Sequence, residues 1–185
     1  KLERNLFRAW CIWLCQPSLF NSQEMTRQKE FQELANRMEL VIKNNSNRFL
    51  DTNNKSKDLN IPGTIDIIFI PYLERMNASL AYYKGFNLRK EHPYINIWLK
   101  ELEKSSIYRG TQGDMHTHAH DLPPQMGGCF YSKNKQQKAF SKAIDLGDGL
   151  QDMETSFTDD GLPKDYKSEA IALERVIKHK DKIKD

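Results

Sequence analysis

The sequence predicts an all-α fold, and three observations lead to this prediction. Apolar residues recur at steps of three and four over most of residues 1–109, which is the period of an amphipathic helix. Proline and glycine stand where these runs stop, as they do at helix ends. No stretch of useful length alternates polar and apolar residues as a half-buried β-strand would. We therefore expect a helical bundle.

The first two helices are predicted by their apolar stripes. Residues 1–15 form the first, and Pro17 closes it. The second carries its predicted inner face on Met25, Phe31, Leu34, Ala35, Met38, Val41 and Ile42. It ends in the polar run 44–47, and residues 51–60 follow as an exposed loop.

A central helix is predicted to begin at Gly63. Asp66 would then occupy the third helical position, where its carboxylate accepts the backbone N–H of Gly63 and complements the helix dipole. The helix is apolar nearly all round in its first half, which predicts burial. Pro71 inside it is expected to kink the helix or loosen one backbone bond.

The remaining chain contains further helices separated by loops. A turn at Gly85 precedes a helix from Pro93 to about Ser105, with Trp98 on its inner side. Residues 110–128, rich in glycine and proline, read as a long loop. We expect a short helix at 135–144, a turn-rich segment at 147–167 and a last helix at 168–182.

Composition limits the class of protein. The 185 residues carry 28 Lys and Arg against 25 Asp and Glu, a net charge of +3, with 38% hydrophobic residues. This suits one soluble domain with a sizeable core. Basic and acidic residues are interspersed, so we expect no nucleic-acid partner. The longest apolar stretch, 61–73, is too short to span a membrane. The lysine-rich segments elsewhere in the chain leave open a peripheral contact with a surface of anionic lipid.

The segments just described resemble a known family. Gly63-Thr64-Ile65-Asp66 before the run Ile-Ile-Phe-Ile-Pro-Tyr-Leu-Glu-Arg, and the later 93–98 segment, resemble the helical C-terminal domain of glutathione S-transferases over residues 1–109. That family opens its central helix with Ser or Thr, two residues and Asp. Here Gly63 replaces the hydroxyl residue, so half of the reciprocal cap remains. Residues 110–185 are then a loop-rich extension packed on the same domain.

Three further segments, 10–15, 117–129 and 174–179, look like those of glutathione S-transferase-like proteins of photosynthetic organisms. This resemblance implies a chloroplast location, with cytoplasm as the alternative. Three cysteines, an odd number, also suit a reducing compartment. The family binds glutathione in an N-terminal thioredoxin-like domain, and no such pattern occurs in these residues. We therefore expect no cofactor, and glutathione only if that domain lies upstream.

The resemblance also implies a substrate pocket. In the family the first helix of this domain lines the active-site cleft, which makes Trp10, Cys11 and Trp13 candidates for an apolar pocket wall, with core packing as the alternative. Cys11 and Cys15 stand four residues apart on one helix face, a spacing that suits buried small hydrophobes better than a disulfide.

Alternating histidines form the other candidate site. His116, His118 and His120 would lie on one side of an extended segment, and a transition metal is their sharpest interpretation. Because the resembling proteins share His118 and His120, we favour instead a role for these two in fixing the loop through hydrogen bonds, and we assign no metal. Cys129 beside His118 or His120 is a weak candidate for a nucleophile and its base.

Two functions follow. The first is a non-catalytic binding or structural subunit of a larger, plastid assembly, with no catalytic residue of its own. The second is the hydrophobic-substrate half of an active glutathione transferase. A protein partner is expected in the first case, and a homodimer is open in both.

Overall fold

The computed structural model describes residues 1–45, 49–51, 62–146 and Ile177. Within these residues the chain is helical and has no strand, so the all-α prediction is confirmed. The helices are α1 (Leu2–Cys15), α2 (Asn21–Asn44), α3 (Thr64–Ser79), α4 (Leu88–Glu91), α5 (Pro93–Glu103), α6 (Ser106–Thr111), α7 (Met115–Met126) and α8 (Lys135–Asp145). A π-helical turn, Leu80–Lys84, continues α3 directly.

The core lies where these helices cross. α1 packs on α2, α2 on α5, α3 on α7, and α8 on the π-helical turn. The largest fully buried side chains are Trp10, Trp13, Trp98, Phe31, Leu6, Leu14, Met38, Ile42, Leu73, Met76, Leu80 and Leu88. Three tryptophans in one core supply much of the buried apolar area that stabilises the bundle. Among the described helices, none combines the length and apolar character needed to cross a bilayer.

The π-helical turn brings α8 close to α3. It ends at Gly85, whose φ of 67° lies in the left-handed region that glycine adopts without strain. A Cβ at this position would also overlap the backbone of Gln137 in α8. Gly85 therefore permits both the sharp chain reversal and the close approach of α8.

Two predicted buried faces are partly exposed. Met25 and Val41 of α2 are exposed, whereas Phe31, Ala35, Met38 and Ile42 are buried as expected. The first half of α3 was expected to be buried all round, and this is wrong. Asp66 and Phe69 face inward, while Ile65, Ile67 and Ile68 are 41%, 59% and 49% exposed. Asp66 and Phe69 thus occupy the inner side at this end of α3, and the three isoleucines lie on its outer side.

The predicted loop at 110–128 is also wrong, because α7 occupies most of it. Asp114 caps this helix by accepting the N–H of Thr117 at 2.7 Å, which the sequence pattern of a capping residue allows. Gly127, with φ of 78°, ends it. Pro123 and Pro124 fall within the last turn of the helix. Each removes one backbone donor, and packing of α7 on α3 keeps the helix in place.

Several predictions concern residues outside the described part of the chain. Most of the loop at 51–60, the turn-rich segment at 147–167 and most of the helix at 168–182 lie there, although Ile177 is helical. The chain divides into two compact units, Lys1–Glu154 and Thr155–Asp185. Helices α1 to α8 all belong to the first unit, so residues 110–146 pack with the helices that precede them.

Candidate functional site

Asp66 is the centre of a buried hydrogen-bond cluster at the start of α3. Its side chain is fully buried. Oδ2 accepts the N–H of Gly63 at 3.0 Å, the bond expected from the sequence, and that of Asp51 at 3.2 Å. Oδ1 accepts the N–H of Leu50 and the indole N–H of Trp98, each at 2.7 Å. Four donors compensate the desolvation of this carboxylate. Asp66 thereby fixes α3 against α5 and the chain before α3.

Glycine occupies the cap position of α3 because there is no space for a side chain at residue 63. Its φ of −82° is ordinary for any residue, so conformational freedom does not explain the glycine. A Cβ built there would overlap the side chain of Asp51, beginning with its Cβ. The missing hydroxyl half of the cap is the consequence of this close approach.

The residues proposed for a substrate pocket lie in or beside the core. Trp10 and Trp13 are each 1% exposed. Their indole N–H groups donate to Ser79 Oγ at 3.0 Å and to Glu24 Oε1 at 2.8 Å. Cys11 is half-buried, and burial raises its thiol pKa to about 11, with Cys15 adding to the effect. An open depression between α1 and α2 is lined by other residues, among them Ile12, Thr26 and Arg27. A pocket role for Trp10, Cys11 and Trp13 stays a prediction.

A polar cluster that sequence reasoning missed lies beside Trp13. Glu24 receives hydrogen bonds from Trp13, from Ser18 Oγ at 2.8 Å and from Ser132 Oγ at 2.7 Å. Its Oε1 also lies 3.0 Å from Nζ of Lys84, whose side chain is 1% exposed. These groups come from α1, the segment between α1 and α2, α2 itself, the π-helical turn and the segment after α7. No local sequence pattern indicates the contacts of Glu24 with Lys84 and Ser132, because 60 and 108 residues separate these partners from Glu24.

The three cysteines meet near this cluster. The N–H of Phe130 bonds to the carbonyl of Leu14 at 2.9 Å, which brings Cys129 beside Cys15. A hydrogen bond with the Cys129 thiol lowers the pKa of Cys15, and the Lys84 ammonium adds to this against the effect of burial. The same hydrogen bond and burial raise the pKa of Cys129. The interacting partner of Cys129 is thus a thiol, whereas His118 and His120 contact Glu74 and Asp145.

Helix α7 separates the three histidines, because a helix does not place alternate residues on one side. His116 and His120, four residues apart, share one face, and their ring centroids are 4.3 Å apart. His118 faces α3, with Nε2 3.6 Å from Glu74 Oε2. The expected single row of histidines in an extended loop is thus wrong.

Asp145, at the end of α8, joins the exposed histidine pair. Nε2 of His120 lies 2.8 Å from Asp145 Oδ1. Ligand atoms of His116, His120 and Asp145 all lie within 4.8 Å of one another. Two imidazoles and a carboxylate are ligands that zinc and similar ions accept. No local pattern in the sequence indicates Asp145, because 25 residues separate it from His120.

Ile65, Ile67 and Ile68 form an exposed apolar surface on α3, called here the isoleucine surface. Apolar patches on a protein surface mark interaction sites when they are contiguous. Further along α3, Glu74 accepts the hydroxyl hydrogen of Tyr108 at 2.7 Å, which fixes α6 against α3.

Comparison with protein-family models, with curated proteins and with solved structures finds no match. The class of this protein is thus defined by its fold and its sites alone, as an all-α helical bundle with a buried aspartate cap. The resemblance to glutathione S-transferases stays a prediction from the sequence.

Proposed function

We propose that this chain is a glutathione S-transferase-like helical domain that binds a protein partner without catalysis, as a structural subunit of a larger assembly. The isoleucine surface is the observation that carries the proposal. Burying three half-exposed isoleucines against a partner would contribute roughly 3 kcal/mol. The plastid location stays a prediction.

The position of the tryptophans supports a non-catalytic role. Trp10 and Trp13 lie in the core, and their indole N–H groups donate hydrogen bonds to Ser79 and Glu24. Side chains held in this way stabilise the bundle and offer little surface to a hydrophobic co-substrate. Cys11, with its raised pKa, is a poor nucleophile near neutral pH.

Gradient fractionation tests the proposal. The tagged protein, expressed in the cells that make it, is compared with an Ile67→Ser/Ile68→Ser variant. A Leu40→Ser/Val41→Ser variant is the matched control, because these two residues are exposed on α2. We expect the wild type and the control to co-migrate with a large complex and the isoleucine variant to move to the low-mass fractions.

Intact mass measured on the natively purified protein completes the test. Migration of the wild type as a free monomer or homodimer would contradict the proposal. If that species also carries an upstream domain and conjugates glutathione to 1-chloro-2,4-dinitrobenzene, the transferase interpretation replaces it. Equal loss of co-migration in both double variants would likewise contradict a specific role for the isoleucine surface.

A further inference from the structure

The exposed face of α7 carries two imidazoles at the spacing of a metal-binding helix. His116 and His120 are four residues apart, one turn of helix, so both side chains project from the same face. Their ring centroids are 4.3 Å apart. A simple surface ion pair with Asp145 would need only His120. The imidazole of His116 adds a third ligand to the pair formed by His120 and Asp145.

Asp145 is held in position by a buried residue. Its Oδ1 faces His120 Nε2 at 2.8 Å, and its Oδ2 accepts the hydroxyl hydrogen of Tyr82 at 3.1 Å. Tyr82 is 5% exposed, and its ring lies edge-on to His120 with centroids 5.0 Å apart. Such outer contacts orient metal ligands and add to affinity. The carboxylate therefore keeps one oxygen toward the imidazoles without a metal being needed to place it.

The geometry points to a binding site for a divalent transition-metal ion of the zinc class, held by His116, His120 and Asp145. Ligand atoms that lie within 4.8 Å of one another need only small rotamer changes to surround an ion at about 2.0 to 2.2 Å. The donor set favours Zn²⁺, Co²⁺, Ni²⁺ or Cu²⁺ over Mg²⁺ and Ca²⁺, which prefer oxygen.

The site is open to solvent, since all three side chains are exposed. Water would occupy the remaining coordination position, as in three-ligand zinc sites. An ion held there would join α7 to the end of α8. This inference is independent of the protein-binding role proposed above, because the isoleucine surface lies on α3.

Metal titration of the full chain tests the site. The protein is treated with EDTA, dialysed free of chelator and titrated with ZnCl₂ by calorimetry and with CoCl₂ by visible absorption. We expect one ion per chain. His116→Ala, His120→Ala and Asp145→Asn should each weaken binding at least about tenfold, and Zn²⁺ should raise the melting temperature of the wild type but not of these variants.

His118→Ala is the matched control. It removes the same residue type from the same helix, but His118 faces Glu74. We expect it to keep affinity within about twofold of the wild type. Circular dichroism confirms that each variant is folded, which the exposure of the three ligands favours. Absence of one-to-one binding, or an equal loss of affinity in His118→Ala and His116→Ala, would overturn the site.

Discussion

Tyr83 donates its hydroxyl hydrogen to the carbonyl oxygen of Ala119 at 3.0 Å, the carbonyl that Pro123 leaves without a helical donor. In a helix this oxygen would accept the N–H of residue 123, and proline has none. Both Tyr83 and Ala119 are buried, so water does not replace the missing donor. A side chain of the π-helical turn thus completes a backbone bond of α7.

Tyr83→Phe should lower the free energy of unfolding by about 1 to 3 kcal/mol, because it leaves a buried carbonyl without a donor. Urea unfolding followed by circular dichroism measures the loss. In a Pro123→Ala background the new N–H serves Ala119, and the cost of Tyr83→Phe should shrink. An equal cost in both backgrounds would refute this compensation.

Asp66→Asn should destabilise the protein by about 3 kcal/mol or more. The carboxylate accepts four N–H groups in a fully buried position, and an asparagine offers one oxygen while turning its NH₂ toward donors. Asp114→Asn is the matched control, because Asp114 is an exposed cap at which asparagine serves equally well. Similar melting temperatures for the two variants would count against the burial argument.

Gly63→Ser should destabilise the protein by about 1 to 3 kcal/mol, although serine is a good capping residue. The added Cβ would overlap Asp51. Asp51→Gly removes the obstacle, so the double variant should recover most of the loss relative to Asp51→Gly alone. Thermal melts of the four proteins measure this coupling, and a Gly63→Ser variant as stable as the wild type would contradict the steric explanation.

Protonation of Glu24 should lower the stability of the folded protein as the pH falls. Burial alone would raise its pKa, but hydrogen bonds from Ser132, Ser18 and Lys84 outweigh burial and lower it. Because the pKa in the folded state lies below that of the unfolded chain, the stabilisation is complete above the unfolded pKa and disappears as pH falls through the folded one.

Urea midpoints between about pH 7 and pH 3 measure this effect. Glu24→Gln should be less stable at neutral pH and should show a shallower decline toward acid. Glu30→Gln, an exposed change on the same helix, should keep the slope of the wild type. Parallel slopes for Glu24→Gln and the wild type would show that Glu24 does not carry the dependence.

Alkylation should distinguish the three half-buried thiols. The pKa of Cys15 is lowered, whereas those of Cys11 and Cys129 are raised. Iodoacetamide near pH 7.5 should modify Cys15 at least about tenfold faster than Cys11, because the thiolate reacts. Peptide mass spectrometry follows the time course. Cys129→Ala should slow the labelling of Cys15, and labelling of Cys11 first would contradict the assignment.

Local features were predicted best. The Gly63 and Asp66 cap depends on residues three positions apart, so spacing alone indicates the bond. The first helices likewise follow from the period of apolar residues near one another in sequence. The same reasoning failed for α7, where two prolines and several glycines are typical of a loop. The contacts of α7 with α3 and Tyr83 come from distant parts of the chain.

The histidines show the same division. Their ligand chemistry can be read from residue type, but their geometry depends on whether the segment is extended or helical. The helix pairs His116 with His120 and turns His118 toward Glu74. Asp145 joins the set because α8 packs on the π-helical turn and on α7.

The sequence by itself determined that this chain forms helices, where most of them begin, and which aspartate caps the central one, because these properties arise from interactions within about one helical turn. Tertiary structure decided which isoleucines remain exposed, which thiols meet, and which histidines share a face with an aspartate. Those relationships join residues far apart in sequence, and only the packing of one helix on another brings them within contact distance.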